Sequence, residues 1–283
     1  MRTRFAPSPT GPLHLGHAYS VILAWDMAQS ASGQFLLRIE DIDQSRARKS
    51  WEELIYKDLT WLGINWPSPV MRQSKNMVSY QTALQHLWDM GVLYECSCNR
   101  RDIRAAMTAP QEGAEHPLGP DGLIYPGTCR NRQAQSTDLP KEAVLRLDMA
   151  KALEHIGHTD LLFEETGPIN PHIKPSSDWM RDHVGDVVLC RKDMGTSYHL
   201  SVVVDDAGQD ITHVVRGEDL QSATVIHVLL QKLLGLPTPI YHHHRLIRDK
   251  DGRRLAKRDD ARAIRLYRQE GETADDIRGR IGL

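Results

Sequence analysis

Two histidines, His14 and His17, flank Gly16 in the stretch RFAPSPTGPLHLGHAYS, which begins at Arg4. Prolines and glycines precede residues 18–29, where apolar side chains recur at helical spacing, so the histidines stand where a turn leads into a helix. The first N–H groups of a helix lack intrahelical partners and favour phosphate. Gly16 would let a nucleotide approach the backbone, and both imidazoles could donate hydrogen bonds to phosphate. A proline-rich turn with two surface histidines is the alternative.

Three of the four cysteines are close together in a segment rich in proline and glycine. Cys96 and Cys98 are one residue apart, and Cys129 follows across a loop. Thiolates in this arrangement suit tetrahedral Zn²⁺, and a structural zinc ion would supply folding free energy that such a segment lacks. General zinc chemistry favours His116 or water as the fourth ligand. Buried cysteines without a metal are the alternative, and Cys190, inside a strand pattern, is expected to serve packing.

A basic region lies near the C-terminus. The sequence RLAKR occupies residues 254–258, and residues 245–268 contain ten Lys or Arg against four Asp. This region could bind an RNA backbone, and a solvated helix face is the alternative. Of the three histidines at 242–244, at most one is expected to contact nucleotide and the others to be solvated.

The elements that must position these residues alternate between strands and helices. Strands are predicted at residues 1–5 and 35–43, and helices at 18–29, 46–62 and 77–90. Further strands are predicted in AVLRLDM, DVVLCRKDMGTSYHLSVVVDD and THVVRGEDL, followed by a helix in SATVIHVLLQKLLG. The three valines before Asp205 are expected in a sheet interior. This order predicts an α/β fold with a Rossmann-type, doubly wound parallel sheet, a small zinc-binding insertion and a short helical C-terminal segment.

Composition excludes several classes of protein. The chain has 283 residues, of which 40% are hydrophobic and 25% charged, enough for a proper core. No apolar run approaches the roughly 18 residues of a membrane span, and no signal-peptide pattern opens the chain. The net charge of −2 argues against indiscriminate nucleic-acid binding. A cytoplasmic protein is expected, and a monomer.

Together, HLGH and RLAKR resemble the HIGH and KMSKS signatures of class I aminoacyl-tRNA synthetases. The stretches LLRIEDID, YHLSVVVDD and THVVRGEDL extend the resemblance to the glutamyl/glutaminyl branch over nearly the whole chain. The resemblance implies that His14, His17 and Lys257 are catalytic and that they bind ATP, with its Mg²⁺, together with Gly16. Lys257 would neutralise the charge that develops as a carboxylate attacks the α-phosphate.

For the amino acid, the resemblance implies a pocket of six residues: Arg4, Ala6 and Ser8 as lining, Glu40 as the partner of the ammonium, and Tyr198 and Arg216 around a carboxylate. Guanidiniums and one counter-carboxylate suit a substrate with two carboxylates and one ammonium. For Arg216 the alternative is a surface ion pair with Glu218. Val202 replaces an Asn that is frequent in the branch, so weaker affinity for free glutamate or a different pocket arrangement is expected.

The resemblance also makes Tyr125 the fourth zinc ligand and implies a domain organisation. Residues 1–94 and 136–240 would form two halves of the catalytic core, 95–135 the zinc-binding insertion, and 241–283 the lysine loop with its basic segment. The chain ends about 25 residues after RLAKR, so an anticodon-binding domain is not expected.

Synthetases of this branch with that organisation transfer glutamate to the queuosine base at the wobble position of tRNA(Asp). The substrates implied are therefore L-glutamate, ATP and tRNA(Asp) that carries queuosine. The alternatives are conventional 3′-end charging of tRNA, a nucleotidyltransferase of the wider HxGH group, and a zinc-bearing RNA-binding paralogue without catalysis.

Overall fold

The computed structural model describes residues 1–99, 101–103, 106, 118–131, 138–168, 175–248 and 262–283. Lys257, with the whole RLAKR loop, and His116 lie outside the described residues.

The strands are β1 (Arg2–Phe5), β2 (Gln34–Ile39), β3 (Met71–Arg72), β4 (Leu93–Glu95), β5 (Leu118–Gly119), β6 (Gly122–Leu123), β7 (Leu145–Leu147), β8 (Val188–Cys190), β9 (His213–Gly217) and β10 (Ile240–His244). The helices are α1 (Leu15–Ser30), α2 (Lys49–Trp61), α3 (Met77–Asp89), α4 (Met149–His155), α5 (Ser177–His183), α6 (Tyr198–Gly208), α7 (Thr224–Leu233), α8 (Ile264–Gln269) and α9 (Ala274–Ile281). Short 3₁₀ turns occupy Gln73–Lys75 and Glu218–Leu220.

The parallel strands form one continuous layer. Strands β1, β2 and β3 pair in that order, and β9 pairs with β10. Strand β9 lies beside β1, because the Thr212 backbone N–H, just before β9, donates to the Arg2 carbonyl at 3.0 Å. Helices α1, α2 and α7 connect successive parallel strands. The spatial order β3, β2, β1, β9, β10 confirms the predicted Rossmann-type sheet.

The carboxyl ends of these strands meet at one edge of the sheet, which is where parallel α/β proteins bind ligands. Ala6 follows β1, Glu40 follows β2, and Glu218 follows β9. Strand β2 ends at Ile39, earlier than the predicted residue 43, so Glu40 lies beyond the sheet rather than within it.

Two large apolar clusters support the layer. One is shared by the antiparallel sheet β4, β7, β8 and by helices α3 to α7, and the other by β1, β2, α1, α2, α8 and α9. Cys190 packs in the first cluster, as predicted, and burial raises the pKa of its thiol to about 11. Among the described residues, the helices are all too short or too polar to cross a membrane.

The segment YHLSVVVDD is helix α6, so the strand predicted there was wrong. The Ser197 side chain caps this helix by accepting a hydrogen bond from the Leu200 backbone N–H. Most residues of α6 are buried, so its apolar side chains form no narrow stripe and three successive valines imitate a buried strand.

Two of the three histidines at 242–244 are buried, which contradicts the prediction that at most one contacts nucleotide and the others are solvated. His243 is 0% exposed and His244 is 3% exposed. Strand β10 pairs along its whole length with β9, and the Glu165 carboxylate accepts hydrogen bonds from the backbone and the ring of His243. The His243 side chain is therefore part of the interior, whereas His244 contacts Ser20 of α1 and lies in the wall of a cavity there.

A buried cluster of charges joins α6 to strands β1 and β2. Arg38 Nη1 donates to Asp206 Oδ1 at 2.7 Å, and Arg38 Nε lies 3.6 Å from Asp205 Oδ2. Arg4 donates to both oxygens of Asp206, at 3.0 and 3.1 Å. Burial opposes ionisation of Asp206, but the two guanidiniums outweigh it and lower the pKa of this carboxyl to about 2. The cluster thus holds two carboxylates at a helix C-terminus, where the helix dipole disfavours them.

We expect Arg38→Met to lower the free energy of unfolding by about 3–5 kcal/mol at pH 7, because buried carboxylates lose their cation. Arg2→Met is the matched control, since it removes an ion pair with Asp210, whose side chain is 84% exposed, and should cost at most about 1 kcal/mol. Urea unfolding measures both values, and equal losses would contradict the prediction.

The pH dependence follows from the lowered pKa of Asp206. Its contribution is complete above the ordinary value of 3.8 and is lost as pH falls through the folded value of about 2. The excess loss in Arg38→Met should therefore shrink across that interval.

Candidate active site

His14 and His17 form the N-terminal cap of α1. His14 Nδ1 accepts the Gly16 backbone N–H at 3.1 Å, and His17 Nδ1 accepts the His14 backbone N–H at 3.2 Å. Because each Nδ1 accepts, each neutral ring carries its proton on Nε2 and can donate from there. A Cβ at residue 16 would lie 3.0 Å from His14 Cε1, so glycine lets the imidazole fold over the backbone.

The start of α1 is suited to an anion. Its first turn, which the structure describes in full, contains no acidic residue, so the positive end of the helix dipole is not neutralised from within the helix. A pocket of about 250 Å³ opens there, at the carboxyl edge of the parallel strands. Predicted site residues that line this pocket are Arg4, Ala6, His14, Gly16, His17, Glu40, Tyr198 and Arg216.

A larger cleft of about 940 Å³ adjoins the pocket, and His17, Glu40 and Tyr198 line both. Ser8 lines only the larger cleft. Val202 is 3% exposed within the first apolar cluster and is not among the described residues that line either cavity. The structure thus brings together the predicted glutamate residues but places Ser8 towards the outer cleft.

The described residues that flank the segment 249–261 lie in the wall of the pocket on one side and beside the HLGH residues on the other. Leu246 and Ile247 line it. On the other side, the Ile264 backbone N–H donates to the Leu13 carbonyl at 2.8 Å, next to a bridge between Ala263 and His14. The chain therefore leaves the HLGH region before RLAKR and returns to it afterwards.

Glu40 supplies negative charge at the junction of the two cavities. Its side chain is 11% exposed and accepts a hydrogen bond from Arg38 Nη2 at 3.1 Å. Burial raises the pKa of this carboxyl, and the nearby guanidiniums of Arg38 and Arg4 partly offset the rise. An ammonium group arriving beside Glu40 would favour the ionised form further.

Arg216 is buried, and each acceptor that the described residues offer it is uncharged. They are His243 Nε2 and His227 Nδ1, both at 3.1 Å, the Leu220 carbonyl at 3.3 Å and Thr224 Oγ1 at 2.7 Å. Residue 216 stands opposite His243 in the parallel ladder, which explains their contact.

The surface ion pair between Arg216 and Glu218 is therefore not formed. Glu218 instead accepts a hydrogen bond from the Leu246 backbone N–H at 3.3 Å. Arg4 and Arg38 pair with carboxylates, whereas no carboxylate of the described residues neutralises Arg216. Its positive charge is thus directed to whatever occupies the pocket.

The three cysteines of the predicted metal site converge. The Sγ atoms of Cys96, Cys98 and Cys129 lie within 4.8 Å of one another, and the Tyr125 hydroxyl lies 3.5 Å from Cys96 Sγ and 3.4 Å from Cys98 Sγ. Burial opposes ionisation of Cys129, but hydrogen bonds, led by that from Tyr125, lower the pKa of its thiol to about 6. The guanidinium of Arg146 donates to Cys96 Sγ at 3.3 Å and lies 4.0 Å above the Tyr125 ring. This donor set, with a cation beside it, fits a zinc ion held by thiolates.

The sequence analysis missed the residues that hold the side chains of the 250 Å³ pocket in place. A signal existed for Arg38, because an arginine inside an apolar strand needs a buried carboxylate. Its partners Asp205 and Asp206 were assigned to the end of a strand. For His199 and His227 the sequence offers no signal, since their contacts join helices α6 and α7 across the fold.

The comparisons with known proteins agree with this geometry. The model of the family "tRNA synthetases class I (E and Q), catalytic domain" matches residues 1–279. A glutamyl-Q tRNA(Asp) synthetase of Rhodobacter capsulatus is 58% identical over 289 residues, which cover 100% of both chains. A glutamate–tRNA ligase of a Synechococcus species is 36% identical, over 98% of this chain and 56% of its own.

The fold is also that of a solved relative. The crystal structure of a glutamate tRNA ligase from Elizabethkingia meningosepticum in complex with its amino acid superposes with a TM-score of 0.68 and 29% identity, over 91% of this chain. The chain spans about half (52%) of that ligase's length. On these findings, which confirm the resemblance inferred from HLGH and RLAKR, the chain belongs to the class I tRNA synthetases of the glutamyl and glutaminyl type, and within them to the glutamyl-Q tRNA(Asp) synthetases.

Proposed function

We propose that the protein activates L-glutamate with Mg²⁺-ATP and transfers it to the queuosine base at the wobble position of tRNA(Asp). The observation that carries the activation step is the buried Arg216, whose described acceptors are all uncharged, in one pocket with Glu40. The choice of tRNA rests on the full-length similarity to the Rhodobacter capsulatus synthetase. A cytoplasmic location and a monomeric state remain predictions from the sequence.

In this proposal the amino acid is recognised by charge. Arg216 and Tyr198 contact one carboxylate of glutamate, and Glu40 accepts its ammonium. Arg4 lines the same pocket, but its bidentate pairing with Asp206 makes it a support of the pocket floor. Ala6 lies at the pocket and Ser8 at the cleft outside it.

The phosphates of ATP bind at the start of α1. His14 and His17 donate hydrogen bonds through Nε2, and the absence of a side chain on Gly16 leaves the His14 ring the room it needs to lie over the backbone in that orientation. A glutamate carboxylate oxygen attacks the α-phosphorus, pyrophosphate leaves, and Lys257 stabilises the charge that develops. A queuosine hydroxyl then attacks the carbonyl carbon of the adenylate and AMP leaves.

We also propose that zinc, held by Cys96, Cys98 and Cys129 with Tyr125 as the fourth ligand, stabilises the insertion at residues 95–135. The zinc ion and its three thiolates together carry a net negative charge, which the adjacent Arg146 offsets. Zinc at such a site contributes folding free energy and takes no part in the reaction.

The first prediction from the proposed function concerns the group that accepts glutamate. Labelled glutamate should appear on natural queuosine-containing tRNA(Asp) after its terminal CCA has been trimmed, and not on an unmodified transcript of the same sequence. Filter binding of labelled tRNA after reaction measures the transfer. Charging of the transcript, or loss of labelling on trimming, would assign the protein to conventional 3′-end charging instead.

The second prediction concerns Lys257. Lys257→Ala should slow glutamate-dependent pyrophosphate exchange by about 10²–10³-fold with little change in the KM for glutamate, because preorganised charge acts in the transition state. Lys250→Ala, in the same basic region, is the control and should stay near wild type. Exchange at the wild-type rate in Lys257→Ala would remove this lysine from the mechanism.

The third prediction concerns the metal. Freshly purified protein should contain about one equivalent of zinc, and Cys98→Ser should lose it while the parallel sheet stays folded. Cys190→Ala, which alters a cysteine of the first apolar cluster, should keep its zinc. Elemental analysis and circular dichroism measure the two effects. Wild-type protein without zinc would refute the site.

A further inference from the structure

Arg216 stands at one end of a chain of hydrogen bonds that leads from the pocket to the hairpin β5–β6. Arg216 Nη1 lies 3.1 Å from His227 Nδ1, His227 Nε2 lies 3.1 Å from His199 Nδ1, and His199 Nε2 lies 3.1 Å from Asp121 Oδ1. Both imidazoles are buried, while the Asp121 side chain is 41% exposed in the turn of the hairpin. The chain thus joins an interior cation to a carboxylate at the surface.

The chemistry of these groups allows only one direction of hydrogen-bond donation, from Arg216 towards Asp121. A guanidinium can only donate, so His227 Nδ1 accepts and its proton is on Nε2. That Nε2–H donates to His199 Nδ1, and the proton of His199 is in turn on Nε2, where it donates to Asp121. Burial, with the positive charge of Arg216, holds the pKa of His227 well below its ordinary value. A single pair of neutral tautomers therefore satisfies every link.

A shorter chain of the same kind holds Arg216 from another side. Arg216 Nε donates to His243 Nε2 at 3.1 Å, and the His243 ring donates through Nδ1 to the Glu165 carboxylate. Burial and the charge of Arg216 lower the pKa of His243 to about 4, so this ring is also neutral. In both chains an imidazole separates the guanidinium from the carboxylate.

This arrangement orients Arg216 without neutralising it. A carboxylate in direct contact would fix the guanidinium equally well, as Asp206 fixes Arg4, but it would compete with an anionic ligand. A neutral imidazole supplies the same directional contact and leaves the charge for the pocket. An imidazole without a partner could rotate or change tautomer, and the acceptor beyond it prevents this.

We propose that His227, His199 and Asp121 are positioning residues for Arg216, so that the β5–β6 hairpin takes part in recognition of the substrate carboxylate. The identity of that substrate as glutamate rests on the proposed function. The direction of the hydrogen bonds does not rest on it, because that direction follows from the contacts of the protein itself.

The first arm of the test reads the tautomers directly, in the full protein without substrate. Two-bond ¹⁵N–¹H correlation spectra of ¹⁵N-histidine-labelled protein should show His227 and His199 neutral with the proton on Nε2, assigned by loss of each signal in His227→Asn and His199→Asn. In Asp121→Leu the donor from His227 should keep His199 in the same tautomer, but the Nε2–H of His199 loses its acceptor, so its signal should shift and its proton should exchange faster with water. Asp121→Asn, which keeps an acceptor, should restore the wild-type signal. A protonated ring, or Nδ1–H on His227, would overturn the proposal, as would an unchanged His199 signal in Asp121→Leu.

The second arm measures amino-acid-dependent pyrophosphate exchange in the presence of tRNA. His199→Leu leaves His227 Nε2–H without an acceptor, and we expect the KM for glutamate to rise about tenfold while the KM for ATP changes less than about twofold. His199→Asn places an acceptor oxygen near the position of Nδ1 and should recover most of the wild-type KM. His155→Leu, at an exposed site, is the control.

The outcomes are distinguishable. Wild-type protein without glutamate-dependent exchange would refute the proposed function, and the tautomer spectra would still decide the hydrogen-bond chain. Active wild type with an unchanged glutamate KM in His199→Leu, or with equal rises in the KM for glutamate and ATP, would refute a positioning role. Equal defects in His199→Leu and His199→Asn would do the same.

Discussion

The pairing of Arg4 and Arg38 with the carboxylates of helix α6 is the constraint on which the rest of the site depends. It joins the first two strands of the sheet to a helix that begins at Tyr198, and all of these groups are buried. Replacing every member of a buried ion pair by apolar residues costs little stability, whereas removing one partner costs much, because it leaves a buried charge unpaired. Such pairs therefore tolerate few alternative arrangements. The cluster therefore holds the carboxyl ends of β1 and β2 against the last turn of α6. The pocket residues Ala6 and Glu40 follow directly after these two strands.

The three buried arginines near the pocket differ in what they contact. Two of them meet carboxylates, whereas the described acceptors of Arg216 are imidazoles, a hydroxyl and a carbonyl. In a site of low dielectric, a guanidinium without a counter-ion attracts an anion far more strongly than a paired one. Specificity for a carboxylate thus comes from the partners given to each arginine rather than from the number of arginines.

The sequence predicted the parts of the fold that depend on local patterns. Proline and glycine before a helical pattern predicted the start of α1 at residue 18, three residues after its true start at Leu15. Strand–helix alternation predicted the parallel sheet. Helix α6 could not be predicted in this way, because burial on most sides removes the helical stripe on which the reading relies. The prediction for His243 was wrong for a related reason. A polar side chain suggested a solvent-exposed position, but Glu165, far away in sequence, supplies a buried partner for the ring. Local residue types predicted most of the residues that line the pocket, whereas long-range contacts decide which charges are neutralised.

The two ends of the pocket meet negative charge by different physical means. At the start of α1, imidazoles whose Nδ1 atoms accept backbone N–H groups present neutral Nε2–H donors beside the positive end of the helix dipole, and at Arg216 a full charge faces the cavity. Adenylate formation brings two anions together, and fixed positive charge that bound both ground states tightly would deepen the well from which the reaction starts. In the proposed reaction, neutral donors beside the phosphates avoid this. In the proposed reaction, the full charge there comes from the Lys257 loop, whose flanking residues return to the pocket rim, so stabilisation is concentrated where charge develops in the transition state.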